Sequence, residues 1–366
     1  MRRKALMLVS DLADQRLRDE VARGLRPCPE YLQLERAHDV ELLDWSRLPG
    51  QIRRRSPLGS IRHVAAATRR LSEFDVIFSD GEHLGIPLAL AMRASGIRKP
   101  HLVLGHHITT PAKRRLWRLA GVNGGVDRIL LHSRHQLRLA EERLGVRADR
   151  LAFLPYFADA NFWSPANVVE EPLIVSAGRE HRDYETLAAA AGGLTVTVEV
   201  AVGSLFSPAA RWRAPATWPP NFHIRPGLDR VQLRELYARA SLVVVPVLPT
   251  DFQAGVTTLL EAMAMAKPVV ISATPSQVDI VEDGVTGVLV PPRDPAALRD
   301  AITALIGDLG RRRRLGLAAR HAIETKYSLE LFSSRIAAHL DELAAGAVPR
   351  LQPRAGPGLE AETPAS

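Results

Sequence analysis

The residues best placed to do chemistry lie between Leu242 and Pro292. The apolar run Leu242–Val247 reads as a strand and feeds the loop Leu248-Pro-Thr-Asp-Phe-Gln-Ala-Gly255, after which Val256–Ala266 reads as a helix. Glu261 interrupts that helix, flanked by Leu259, Leu260, Ala262 and Met263. A carboxylate among apolar neighbours is costly unless it faces water or is given hydrogen-bond donors. The hydroxyls of a bound ribose would be such donors. The helix start, with Gly255, Val256 and Thr257, offers free backbone N–H groups and the positive end of the helix dipole, which suits a phosphate. Glycine at 255 lets a ligand come close to the backbone. The alternative is a solvent-facing Glu261 on an amphipathic helix.

Two further places share this logic. Ser176-Ala-Gly-Arg-Glu-His-Arg182 follows an apolar run and sets Arg179 and Arg182 on one turn behind Gly178. Two cations on one turn suit a diphosphate, although single arginines are more often surface residues. His106 and His107 end the apolar run His101–Gly105, and the carboxyl end of a strand in a parallel α/β sheet is where ligands bind. Asp80-Gly-Glu-His83 is a second strand-end cluster, with Glu82 or His83 placed to meet an acceptor. Neither a G-x-G-x-x-G dinucleotide turn nor a G-x-x-x-x-G-K-[ST] phosphate loop occurs, which argues against hydride transfer and P-loop chemistry.

The stretch from Leu242, continued by Asp279, Glu282-Asp283-Gly284 and Gly287–Pro292, resembles the donor-binding half of the retaining glycosyltransferases of family 4. Their fold is GT-B: two Rossmann-like parallel α/β domains facing across a cleft. The family's pattern is a glutamate, seven residues and a second glutamate opening Glu-Ala-Met-Ala. Its second glutamate falls on Glu261 and is implied to bind ribose; its first falls on Gln253, an amide that can still bond sugar hydroxyls but carries no charge. The resemblance makes Arg179 and Arg182 a diphosphate clamp, and sets His106 or His107 against the transferred sugar. Leu154–Phe162 resembles the interdomain segment, and the helix after Tyr327-Ser328, with Phe332, Ile336, Leu340 and Leu343 on one face, resembles the one that crosses back to the first domain. The loop after the first strand, Ser10-Asp11-Leu-Ala-Asp14, lacks the family's glycine pair.

The implied activity is transfer of a hexose-type sugar from a nucleoside-diphosphate sugar to a glycan, lipid-linked or small-molecule acceptor. The nucleoside-diphosphate sugar is a co-substrate; no cofactor and no metal are expected. The alternatives are a noncatalytic GT-B subunit that binds a partner or membrane, and a GT-B phosphorylase or sugar-nucleotide epimerase.

The elements that must hold these residues alternate along the chain as βα units do. Strands are predicted at Ala5–Val9, Val76–Ser79, His101–Gly105, Arg128–Leu131, Leu173–Ala177, Thr195–Val200, Leu242–Val247, Pro268–Ser272 and Gly287–Val290, with weaker signals at Tyr31–Leu34 and Val40–Leu43. Ser133 with Gln136 predicts a capping box, and Asp294-Pro295 a helix start. The expected organisation is an acceptor-side domain over 1–158, a linker over 159–172, a nucleotide-sugar domain over 173–326, a returning helix over 327–345 and a disordered tail over 346–366.

The 366 residues include one cysteine, Cys28, which excludes a disulfide scaffold. No apolar run approaches the roughly 20 residues of a membrane helix, so a cytoplasmic protein is expected. Residues 1–158 hold 28 Lys and Arg against 17 Asp and Glu; the remainder hold 20 against 23. Such asymmetry fits either an anionic partner for the first half or a merely solvated basic surface. Arg53–Arg55, Arg69-Arg70 and Lys113–Arg115 with Trp117 and Arg118 are either solvated helix faces or contacts with the inner face of the cell membrane. Arg311–Arg314 reads as a helix terminus facing water. No nucleic-acid module is present.

Overall fold

The computed structural model describes residues 3–48, 57–119, 122–203 and 217–346. Twelve strands among them form two six-stranded sheets, parallel throughout. The first contains β1 (Ala5–Leu8), β2 (Val40–Leu43), β3 (Val76–Ser79), β4 (His101–Gly105), β5 (Arg128–Leu131) and β6 (Leu151–Phe153), in the order β2-β1-β3-β4-β5-β6. Its helices are α1 (Gln15–Ala22), α2 (Glu30–His38), α3 (Pro57–Arg70), α4 (Glu82–Ser95), α5 (Pro111–Leu119) and α6 (Arg134–Leu139). The second contains β7 (Leu173–Ala177), β8 (Thr197–Val202), β9 (Phe222–Pro226), β10 (Leu242–Val245), β11 (Val269–Ser272) and β12 (Val288–Val290), in the order β12-β11-β10-β7-β8-β9. Its helices are α7 (Tyr184–Ala191), α8 (Arg230–Arg239), α9 (Val256–Ala264), α10 (Pro295–Gly307) and α11 (Leu309–Ala322). The last element among the described residues is α12 (Leu329–Ala344).

Helices cover both faces of each sheet, so the central strands are apolar without alternation. Val243, Val244 and Val245 of β10 are all fully buried, with Val243 and Val244 in separate clusters on opposite faces. This is the two-sheet α/β architecture that the alternation of runs calls for.

Local readings differ in instructive ways. Tyr31–Leu34, a weak strand signal, lies inside α2. The run has no β-branched residue, Pro29 precedes it, and Glu30 sits in the first turn, all of which favour a helix start. The strand expected at Thr195–Val200 is displaced to Thr197–Val202. Strands β6 and β9 carried no signal that separated them from loop: β6 is three residues long, and β9, an edge strand, ends on Pro226. At Ser133 the hydroxyl accepts from the Gln136 N–H at 3.1 Å, but the Gln136 amide does not return to close the box. It donates instead to the His106 carbonyl at 2.8 Å.

The passage between halves is tightly held. Asp159 is buried; its carboxylate accepts from the backbone N–H groups of Cys28, Asn161 and Phe162. Ala158 pairs with the chain at Ser328, so the two crossings run side by side: Ala158 N–H to Tyr327 O at 3.0 Å, and Leu329 N–H to Ala158 O at 3.1 Å. Helix α12 then packs on the first sheet, burying Leu329, Phe332, Ile336, Leu340 and Leu343 beside Met7, Leu34 and Phe78.

The basic clusters sort unequally. Arg53–Arg55 lie outside the described residues, as does the expected tail from 347 onward. Trp117 is 1% exposed, in the core between α4, β5 and α5. Lys113 is paired with Glu82. An α5 lying in a membrane surface with Trp117 as its apolar anchor is therefore excluded: the tryptophan faces inward, leaving Arg114, Arg115 and Leu116 exposed. Arg312 likewise does not face water but donates to the carbonyls of Leu305 and Ile306 at the end of α10. Among the described residues, no helix is long and apolar enough to cross a membrane.

Candidate active site

The turn after β7 is built around one guanidinium. Arg182 donates from Nε to the Ala177 carbonyl at 2.8 Å, from Nη1 to the Glu180 carbonyl at 2.8 Å and from Nη2 to the Thr258 hydroxyl at 3.1 Å. It thereby joins the end of β7 to the first turn of α9. Burial opposes its charge and lowers its pKa. Gly178 has φ of +99°, and a Cβ there would stand 2.3 Å from Arg182 Nη2; only glycine leaves room for this packing. His181, at φ +52°, carries backbone strain in the same turn. Its carbonyl accepts from Leu248 N–H at 2.9 Å, stitching the turn to the segment after β10. Arg179 is half-buried, and its Nε is a buried donor without a partner.

Helix α9 starts at Gly255 with φ +83° and has no side-chain cap. A Cβ on Gly255 would meet Val245 Cγ1 at 2.9 Å, Val247 Cγ1 at 3.0 Å and Arg182 Nη1 at 3.2 Å. The uncapped helix start, with Val256 and Thr257 part-exposed, stands directly beside the Arg182 guanidinium. Two turns on, Glu261 is 8% exposed. The Tyr237 hydroxyl donates to one of its oxygens at 3.3 Å, and Arg230 Nη1 lies 3.4 Å from the other. Burial pushes its carboxyl up to about 6 against the pull of Arg230 and Tyr237. The solvent-facing alternative for Glu261 is thus ruled out.

Gln253 is buried, with Nε2 donating to the Ser276 carbonyl at 2.9 Å. A carbonyl can only accept, so the amide is fixed with Oε1 turned elsewhere, buried and unpartnered. That oxygen is the atom left for a hydroxyl.

On the facing half, the end of β4 is held by Glu82. Its two oxygens accept from His106 N–H at 2.9 Å and His107 N–H at 3.1 Å, and Lys113 Nζ reaches it at 2.5 Å. The nearby positive charges of His106 and Lys113, with these hydrogen bonds, overcome burial and hold the carboxyl down at about 2. With both oxygens used and 3% exposure, Glu82 positions the histidine loop, a different task from the acceptor contact expected of it. His106 Nε2 lies 3.0 Å from the Asp80 carbonyl, to which it must donate, leaving Nδ1 as the other ring nitrogen. The Lys113 ammonium also reaches the His107 carbonyl, at 3.2 Å.

The halves meet through these loops. The ring of Phe252 lies 3.8 Å from that of His107 and 5.2 Å from that of His181. Arg143 pairs with Asp251 at 2.5 Å, Arg134 N–H donates to Asp279 at 2.7 Å, and the hydroxyls of Ser133 and Ser276 are 3.3 Å apart. The carboxyl ends of both sheets therefore face one another, with His106 and His107 on one side and Gly178, Arg179, Arg182, Gln253, Gly255 and Glu261 on the other. A cavity of about 360 Å³ among Glu171, Leu173, Thr197, Glu199 and Arg225 lies at the opposite, amino end of the second sheet. None of the site residues lines it.

Several members of this arrangement had no signal in the sequence. Tyr237 and Arg230 are 24 and 31 residues from Glu261, and Phe252 and Thr258 read as ordinary loop and helix residues. A buried carboxylate does demand partners, so the demand was legible where the suppliers were not.

Two Rossmann-like units with their strand ends opposed define the GT-B fold. Solved structures over nearly the whole chain agree. Sucrose-phosphate synthase from Thermosynechococcus elongatus superposes with a TM-score of 0.71 at 17% identity, covering 94% of this chain and 100% of that one. HepE from Anabaena, solved with UDP-glucose, gives 0.67 at 18% identity over 93% and 100%. Residues 174–308 match the family model described as glycosyl transferases group 1, and the chain carries a domain of that family. Curated relatives include a D-inositol 3-phosphate glycosyltransferase from Xylanimonas cellulosilytica, 39% identical over 99 residues, 27% of this chain and 23% of that protein. An alpha-D-kanosaminyltransferase from Streptomyces kanamyceticus is 32% identical over 97 residues, 26% of this chain and 25% of the other. The matched segments thus span about a quarter of the length of these relatives.

Proposed function

We propose that the protein is a retaining glycosyltransferase that moves a hexose-type sugar from a nucleoside-diphosphate sugar to an acceptor hydroxyl. The observation that carries this reading is the uncapped start of α9 at Gly255, set against the half-buried Arg182 at the ends of β7 and β10. The group 1 match over the same residues supports it. In the reaction the bond from the anomeric carbon to the diphosphate oxygen breaks, and the acceptor oxygen bonds that carbon on the same face. The acceptor proton passes to the departing diphosphate.

Each residue has a role that its surroundings permit. The N–H groups of Val256 and Thr257, with Gly178 and Gly255 giving close approach, receive the diphosphate. The unpartnered Arg179 Nε and the Arg182 guanidinium offset its growing charge; fixed donors aimed at developing charge are worth about 10²–10³ in rate. Glu261 accepts from the ribose hydroxyls, Gln253 Oε1 from a sugar hydroxyl, and His106 or His107 lies against the sugar.

Replacement tests the assignment. Glu261→Ala and Arg179→Ala should each lower kcat/KM by about 100-fold, with the circular dichroism spectrum unchanged. Full activity in both variants would remove the donor site from these residues.

A further inference from the structure

The excess of basic residues in the first half points to an anionic acceptor, but the cleft end of its sheet has a different character. Ser10, Asp80, His106 and His132 follow β1, β3, β4 and β5, and Glu30 opens α2 near them. Ser10 donates to Asp80 Oδ2 from its N–H at 2.5 Å and from its hydroxyl at 2.8 Å. Asp80 Oδ1, on a side chain 7% exposed, is buried without a partner. His132 is 5% exposed. Its Nδ1 lies 2.9 Å from the Leu154 carbonyl and must donate there, so Nε2 is an acceptor, and it too is buried without a partner. The His132 ring stands 5.4 Å from that of His106 and 4.8 Å from that of Tyr156.

Glu30 and Asp11, both partly exposed, lie within electrostatic reach of this group. Burial, with Glu30 adding to it, pushes the Asp80 carboxyl up to about 7. Three nearby cations are held by other carboxylates, Arg18 by Glu35, Arg26 by Glu20 and Lys113 by Glu82, although Arg26 keeps a buried Nε without a partner. Among the described residues these carboxylates do not gather as metal ligands would. When Asp80 is ionised, its Oδ1 and His132 Nε2 are both unsatisfied hydrogen-bond acceptors. A ligand that satisfies both Asp80 Oδ1 and His132 Nε2 must therefore donate, and an ionised phosphate would bring them acceptors and like charge to the ionised carboxylates.

Building on the glycosyltransferase reading, we infer that the acceptor is a hydroxyl-rich molecule bearing a protonated amine, recognised by Asp80 Oδ1, Glu30 and His132 Nε2. The basic surface of the first half is then not an acceptor site.

Titration calorimetry tests this in two stages on the full chain. UDP, GDP and ADP are titrated first; binding of none of them removes the donor reading itself. The protein saturated with the nucleotide that binds is then titrated with 2-deoxystreptamine, myo-inositol and myo-inositol 1-phosphate. The expected order of affinity is the diamine first, the neutral cyclitol second and the phosphate last. Glu30→Gln and Asp80→Asn should each weaken the diamine at least tenfold while leaving nucleotide affinity unchanged, which also reports that the variants fold. A phosphate preferred to the diamine, equal or absent binding of all three, or diamine affinity untouched by both substitutions, would overturn the acceptor inference and leave the donor site standing.

Discussion

At Glu261 the ribose contact proposed above coincides with an energetic cost in the same side chain. Its carboxyl is held at about 6 in the folded protein, above the roughly 4.3 of an unfolded chain. A raised pKa favours folding fully below the unfolded value, and that contribution is lost as pH rises through 6. At pH 8 the charge therefore costs about 2 kcal/mol relative to pH 4. Glu261→Gln keeps an oxygen for Tyr237 and removes the charge, so its melting temperature should exceed the parent's at pH 8, with the gain vanishing near pH 4. Sugar transfer should fall at both. An equal gain at the two pH values would show that burial of charge is not the cause. Glu261 could be picked out from sequence because a carboxylate among Leu and Met is a local anomaly. Its donors could not, because nothing in a helix tells which tyrosine a distant fold will bring to it.

Short loops fixed by single side chains explain both what could be read among the elements and what was misread. The apolar runs of β1, β3, β4, β5 and β7 are visible because buried parallel strands need no alternation. The half-closed cap at Ser133 was misjudged because Gln136 is drawn 30 residues away, to the His106 carbonyl. Sequence leaves Glu82 and His83 equally placed to meet an acceptor, since a strand-end acid in the right region says nothing about the two N–H groups it will meet. Glu82→Gln keeps the shape and loses the charge that Lys113 and two amides share. It should lower kcat at least tenfold with little change in nucleotide affinity, measured by steady-state kinetics beside calorimetry. Gly255→Ala should do the reverse of a silent change: Cβ has no room against Val245 and Val247, and the left-handed backbone costs a further 1–2 kcal/mol or so. Thermal melts should show lost stability together with lost nucleotide binding.

Closure is a property of the whole molecule, and it rests on a small set of contacts. Arg143 and Asp251 are each about half exposed, at 40% and 45%, so water and salt weaken their pairing to at most about 1 kcal/mol. The His107–Phe252 ring contact is only part-exposed, and contact between rings, unlike an ion pair, is not screened by salt. Asp251→Asn should therefore loosen the ligand-free molecule only slightly, while Phe252→Ala should enlarge its radius of gyration measurably in small-angle scattering. If Asp251→Asn opens it more than Phe252→Ala, the ion pair is the principal latch.

The paired crossings at Ala158 and Ser328 carry a consequence for synthesis. The first sheet is complete in sequence by Phe153, yet part of its apolar face is closed only by Leu329, Phe332, Ile336, Leu340 and Leu343. Each such side chain is worth roughly 2 kcal/mol when buried. The ribosome makes the intervening stretch at about 5–20 residues per second. For some 10–40 seconds of translation, then, the first half of each new chain exists with an uncovered greasy seam beside α2. Whatever shelters nascent chains in the producing cell must cover that interval, and the first half finishes folding only when α12 emerges.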